Sequence, residues 1–194
     1  MDQMMLRMDY EIRKAVASDE VAIAALIRAS ARGLSRNDYN NEEIEAAVSF
    51  VYGVDSELII DGTYFVAEGG VELIGCGGWS RRKTLFGGNH ANSRQVGELN
   101  PERDAAKIRA FFVHPNWARR GVGSAILEKC ETEAQKAGFR SLELMSTLPG
   151  LNFYRALGYE AVEEILYPAG SEVLKFVLMR KNVNYIPGSS ADGP

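Results

Sequence analysis

Hydrophobic and polar positions follow two different periods along this chain, and the switches between them mark its elements. After an opening strand from Tyr10 to Ala15, Ile23, Leu26 and Ile27 recur at helical spacing, with Ser18 placed to cap and Asp19 and Glu20 in an acidic first turn. A polar break from Gly33 to Asn41 precedes a second helix, in which Ile44, Ala47, Val48 and Val51 fall at i, i+3, i+4 and i+7. Tyr64–Glu68 and Val71–Trp79 flank Gly69-Gly70 and predict a β-hairpin, since paired glycines suit the positive φ of a tight turn. From Ser80 to Asp104 the chain is polar and irregular for about twenty-five residues, a length that points to a functional or mobile loop. Ala106–Val113 reads as a strand. Val122, Ile126, Leu127, Cys130, Ala134 and Ala137 then form one helical stripe, stopped by Gly138. Ser141–Met145 predicts another strand, and Ala161–Tyr167 with Val173–Arg180 a closing antiparallel pair broken at Pro168–Ser171. The tail from Ile186 to Pro194 has little apolar content and is expected to be disordered.

Composition narrows the class without naming a function. The chain has 194 residues, 46% hydrophobic and 25% charged, which suits one domain with a sizeable core. A net charge of −4 argues against non-specific nucleic-acid binding, which needs a broad basic face. Cys76 and Cys130 sit in apolar contexts and read as core residues, and with only His90 and His114 present no metal site is expected. Met1–Met8 lacks the apolar run of a signal peptide or membrane span, so no membrane role and a cytoplasmic location are the expectation.

The segment Ile108–Leu127 carries the chemistry. It joins an apolar strand to a helix through a basic turn bearing Gly121 and Gly123, and unpaired N–H groups at a helix start beside Arg119 and Arg120 make an anion site. Alone, such a turn equally fits an ordinary strand-to-helix connection. Its residues, however, form part of a longer pattern. Val113-His114-Pro115 followed by Arg119-Arg120-Gly121-Val122-Gly123-Ser124 resembles the acetyl-CoA motif of the GNAT superfamily of N-acetyltransferases, with Ala118 standing where Gln or Arg is usual. Leu151-Asn152-Phe153-Tyr154-Arg155-Ala156-Leu157-Gly158-Tyr159 is similar to the family's second CoA motif, and Tyr10–Leu26 resembles its opening strand and helix.

The resemblance covers roughly residues 10–181, leaving 1–9 as an extension and 182–194 as a flexible tail. It implies an α/β (α+β) fold: a mixed, mostly antiparallel central sheet flanked by helices and split around the acetyl-CoA site. The first helix pair would overlie the acceptor groove. Acetyl-CoA would be the co-substrate, with no metal, and the partner an amine acceptor of a small molecule or peptide; a homodimer is left open. The cofactor-binding residues implied are Phe111, Phe112 and Val113, whose backbone would pair with pantetheine, then Arg119, Arg120, Gly121, Val122, Gly123, Ser124 and Asn152. Tyr154 would protonate the departing thiolate, its phenol holding its proton at neutral pH with a pKa of about 10. A competing reading keeps the cradle without turnover, as a non-catalytic CoA-binding regulatory or interaction module.

The base that must take the amine's proton is less defined by the pattern. Strand alternation sets Glu143 opposite Leu142 and Leu144 and makes it the first candidate, against a solvated or ion-paired glutamate; Asp104 and Glu102 are lesser ones, and His114 fits a turn-fixing role. Arg109 falls two residues before Phe111, hence on its strand face, and Arg81 and Arg82 follow Trp79 at a strand end. Together these arginines are candidates to clamp a carboxylate or phosphate on the acceptor, with Trp79 shaping its pocket, although surface arginines and a half-buried sheet tryptophan fit the same positions.

Overall fold

The computed structural model describes residues 10–92 and 94–183; the readings for residues 1–9 and for the tail beyond 183 fall outside it. One seven-stranded sheet organises the described residues, in the order β1-β2-β3-β4-β5-β7-β6. Its strands are β1 (Glu11–Lys14), β2 (Tyr64–Gly69), β3 (Glu72–Ser80), β4 (Ala106–Val113), β5 (Ser141–Thr147), β6 (Glu160–Ala169) and β7 (Glu172–Asn182). All neighbours are antiparallel except β4 and β5, as the mixed, mostly antiparallel sheet expected from the sequence requires. The helices are α1 (Glu20–Leu34), α2 (Asn41–Phe50), α3 (Ser56–Ile60), α4 (Val122–Lys136) and α5 (Leu151–Ala156).

Strand alternation divides the core between two faces. Phe65 and Ala67 join Ile126, Leu127, Cys130, Leu142 and Leu144 beneath α4, whereas Tyr64 and Val66 join Ile23, Leu26, Ile27 and Leu58 beneath α1 and α3. A third cluster packs Ala46, Ala47 and Val51 against Leu174 and Phe176 of β7.

Several starts and stops differ from the sequence reading. Ser18 does not cap α1: it lies in a 3-10 turn, Ala17–Asp19, held by the Asp19 carboxylate, which accepts from the Val16 amide at 2.8 Å and from Arg13 at 2.7 and 2.9 Å. Asn40 caps α2 with a reciprocal box to Glu43. The closing strands run through Pro168, because β6 is the sheet's outer edge, where a missing N–H is tolerated, and the turn falls at Gly170 with φ +63°. The 80–104 segment is pinned to itself: Lys83 N–H donates to the Gly97 carbonyl at 3.0 Å, Leu99 N–H to Arg81 at 2.7 Å.

The feature that positions the site lies in β4. Its pairing with β5 covers only Ala106–Ile108 against Leu142–Leu144, after which the two strands are no longer paired. Between Arg109 and Phe112 the register with β3 shifts, so that Ala110 and Phe111 face Gly77 alone, a β-bulge with Ala110 at φ +50°. The bulge resets the alternation. Ile108 and Phe111 both pack toward the α4 side, and Ala110 and Phe112 toward the α1 side. Arg109 therefore does not share a face with Phe111, contrary to the two-residue periodicity; it turns to the opposite side and meets Asp55 at the start of α3.

Candidate active site

Where β4 and β5 part, a cleft of about 900 Å³ opens, bordered by residues from both faces of the sheet. One wall is the turn leading into α4. Pro115–Trp117 forms a 3-10 turn in which His114 Nδ1 accepts from the Asn116 amide at 3.2 Å, the turn-fixing role its position suggested. Arg119 then takes φ +64° and Gly121 φ +85°, which points successive amides to one side as α4 begins. Gly121 has no side chain to cap the helix, and the first turn of α4 carries no acidic residue. Its N–H groups are thus left without a local partner and with positive potential in front of them.

Arg119, Gly121, Gly123 and Ser124 border the cleft. Val122 contributes backbone to the same turn while its side chain is buried in the core, and Arg120 stacks on Trp117 at 5.3 Å instead of lining the cavity. Gly123 also allows close packing, since a Cβ there would stand 3.2 Å from the Phe153 ring. Phe111, Phe112 and Val113, beyond the reach of β5 pairing, border the cleft, as do Asn152, Phe153 and Tyr154 of α5. Tyr154 is 8% exposed, with Phe111, Phe153 and Tyr159 at ring distances of 6.3, 5.0 and 5.7 Å. Burial raises its phenol above the ordinary value, with a smaller contribution from Cys130, so the proton is held firmly at neutral pH.

The other sequence candidates lie elsewhere, with one exception. Glu143 is on the far side of the β4–β5 junction, in a separate depression with Arg103 and Asp104. Its carboxylate accepts from Lys107 Nζ at 2.6 Å and Arg180 Nη2 at 2.5 Å. Burial alone would raise its pKa, but these two cations outweigh burial and hold it below the ordinary range. A carboxylate so satisfied and so placed does not suit a base for the cleft. Asp104 accepts from the Asn100 amide at 2.7 Å, and neither it nor Glu102 borders the cleft. Trp79 is in the core, edge-on to Phe139 at 6.1 Å; Arg81 lies over its ring at 6.0 Å, and Arg82 is bidentate to Asp61 at 2.7 Å. None of these three borders the cleft.

The exception is Arg109, which does border it, paired with Asp55 and 3.4 Å from the Gly87 carbonyl. Burial pulls its guanidinium pKa down, opposed by Asp55. The far wall comes from segments that sequence reasoning left without residue assignments: Ser30 to Asp38 at the end of α1, Tyr52 and Gly53 after α2, Leu85–Gly88 within the long loop, Met145 and Phe176. Loop length and the helix pair pointed to this region; the side chains were not singled out.

Residues 29–159, well over half of the chain, match the model of the Acetyltransferase (GNAT) family, and the chain belongs to that family. A curated relative, an uncharacterized N-acetyltransferase of Methanocaldococcus jannaschii, is 34% identical over 67 residues, a stretch covering 33% of this chain and 30% of the relative. Among solved structures, a GCN5-related N-acetyltransferase of Rhodopseudomonas palustris is similar with a TM-score of 0.68 and 21% identity, over 89% of this chain and 95% of that one. The PaiA N-acetyltransferase of Thermoplasma acidophilum, solved in complex with coenzyme A, gives a TM-score of 0.62 and 17% identity over 91% and 100% of the two chains. These two likenesses are of fold. Among the described residues no helix is long and apolar enough to cross a membrane, and no group of His, Cys, Asp and Glu could hold a metal ion.

Proposed function

We propose that this chain is an acetyl-CoA-dependent N-acetyltransferase, acting on a primary amine of a small molecule or peptide by direct attack on the thioester in a cytoplasmic setting. One observation carries the reading: an uncapped, glycine-opened helix start, the end of β4 left unpaired on its β5 side and Tyr154 all border a single cleft. The residues fit the co-substrate. Amides turned outward by the positive φ of Arg119 and Gly121 suit a diphosphate, with Arg119 adding charge and Ser124 and Asn152 adding polar side chains on the same walls.

When bound, acetyl-CoA supplies an acyl carbon activated as a thioester. Gly121–Ser124 anchor it far from that carbon, and the backbone of Phe111–Val113 aligns the chain between, so attack becomes effectively unimolecular. An N–H of the same strand end is suited to polarise the carbonyl. Tyr154, kept protonated by burial, gives its proton to the leaving sulfur.

Calorimetry with CoA and acetyl-CoA, followed by thiol release over an amine panel, tests the reading. Binding of both and turnover of at least one amine are expected, and Tyr154→Phe should lower kcat by about 10²–10⁴ with CoA affinity unchanged. Binding without turnover across a broad panel would favour the non-catalytic module, and no heat with either ligand would end the proposal.

A further inference from the structure

The end of the cleft remote from the α4 turn has a chemistry of its own. It is walled by Val51, Tyr52, Phe86, Met145 and Phe176, which pack together beneath α2 on the face opposite α4. Phe86 meets Tyr167 edge-on at 5.0 Å and Phe176 at 5.8 Å, so the wall is a set of braced rings. Among the described residues, three charged side chains border the whole cleft: Asp38, Arg109 and Arg119. Arg119 belongs to the α4 turn. Asp38 is solvent-exposed on the α1–α2 connection. Arg109 is paired with Asp55 through Nη2, and its Nε and Nη1 are buried without a hydrogen-bond partner among the described residues. Among the described residues, the five side chains of the apolar wall therefore carry no charge themselves.

Resting on the reading of this chain as an N-acetyltransferase, we propose that its acceptor is a primary amine on an uncharged, aromatic-sized apolar body. Within this end of the cleft the amine becomes neutral by desolvation, its proton passing to solvent instead of to a protein base. Moving an ammonium from water into apolar surroundings penalises its charged form. The amine nitrogen then forms the N–C bond, the C–S bond breaks with its electron pair on sulfur, Tyr154 protonates that sulfur, and the second amine proton restores the phenol. A polyamine would strand an unpaired charge against Phe86 and Phe176, and an amino acid would strand its carboxylate.

The titratable groups around this end are Asp38 from the α1–α2 connection, Tyr39 beyond it, Tyr52 after α2, Arg109 from β4 with Asp55, Arg94 and Glu57 behind it, Tyr154 from α5 and Tyr167 behind Phe86. Tyr39 donates to the Lys175 carbonyl at 2.6 Å, and the Lys175 ammonium is paired with Glu164. His90 stands outside the wall with its ring against Gly53.

Steady-state kinetics at saturating acetyl-CoA tests the proposal with phenethylamine, spermidine and phenylalanine as acceptors. We expect kcat/KM for phenethylamine to exceed both others by at least about tenfold. Across ring- and chain-fluorinated phenethylamines, the inflection of kcat/KM against pH should move with each acceptor's own ammonium pKa. Phe86→Ala should raise KM for phenethylamine about tenfold or more while leaving the affinity for CoA, measured by calorimetry, unchanged, which also checks that the variant is folded. Preference for spermidine or phenylalanine would overturn the proposal, the latter by giving Arg109 a direct role. So would an inflection fixed at one pH for every acceptor, which would signal a protein base such as His90. No thiol release from any amine while CoA still binds would overturn the enzyme reading itself, an outcome distinct from a wrong acceptor.

Discussion

Asp55 offers the sharpest test of what holds the floor of the cleft. The side chain is fully buried, and it faces Arg109 and, at 3.2 Å, Arg94. Asp55→Ala would leave the Arg109 guanidinium, 1% exposed, without its counter-charge, whereas Arg94 would keep Glu57. Asp55 precedes α3 but makes no side-chain capping hydrogen bond, so loss of a cap does not enter the sum. Breaking a buried pair from one side costs about 3–5 kcal/mol. For a chain of this length each kcal/mol lowers Tm by about 2–4 °C, so a fall of roughly 6–20 °C is expected. The double variant Asp55→Leu with Arg109→Met removes both charges and replaces them with apolar volume, and it should recover most of that loss. Calorimetric or circular-dichroism melts of the three proteins, with denaturant titrations to confirm two-state behaviour, decide the matter. A single variant within about 1 kcal/mol of the parent would show that the charge is not stranded. A double variant no better than the single would show that packing, not electrostatics, sets the cost.

Other expectations bear on the same scaffold. Gly77→Ala puts a Cβ 2.3 Å from the Phe111 ring inside the bulge, so it should cost about 1–3 kcal/mol and weaken CoA binding; unchanged calorimetry would show the bulge to be tolerant. Tyr64→Phe removes the hydroxyl that donates to the Ala110 carbonyl at 3.2 Å, leaving Cys76 Sγ at 3.6 Å as the remaining donor. A loss of about 1–3 kcal/mol is expected, checked by denaturant unfolding, with CoA affinity falling if that carbonyl anchors the bulge. On acidification, Asp19 (through Arg13), Asp61 (through Arg82) and Glu143 are all held below their ordinary values of 3.8, 3.8 and 4.5. Depressed carboxylates add stability that is full above those ordinary values and is lost as pH falls through the folded ones. Melts from pH 7 downward should therefore hold level until about pH 5 and then decline, and Glu143→Gln should flatten the decline; a curve that already falls between pH 7 and 6 would contradict this assignment.

What could be read from the sequence, and what could not, divides according to the range of the interactions involved. The α4 stripe of Val122, Ile126, Leu127 and Cys130, the β2–β3 hairpin and the glycine-opened turn are written in contiguous residues, and each appears where the sequence sets it, the hairpin turn falling one residue later than expected, at Gly70-Val71. Facing along β4 is different. It depends on a bulge whose causes are non-local: Gly77 across the ladder leaves room for the Phe111 ring, and Tyr64 from β2 reaches the Ala110 carbonyl. Two-residue alternation run through such a point inverts, and this is why Arg109 lies against α3 instead of beside Phe111. Glu143 fails for a related reason. Alternation set it opposite Leu142 and Leu144, but only the registers of β4 and β7 against β5 bring Lys107 and Arg180 to it. The wall proposed for the cofactor was legible because one short segment builds most of it, whereas the wall proposed for the acceptor is assembled from five segments far apart in the chain. Substitutions that retune the acceptor should accordingly be scattered along the chain, and those that abolish CoA binding should cluster between Phe111 and Ser124.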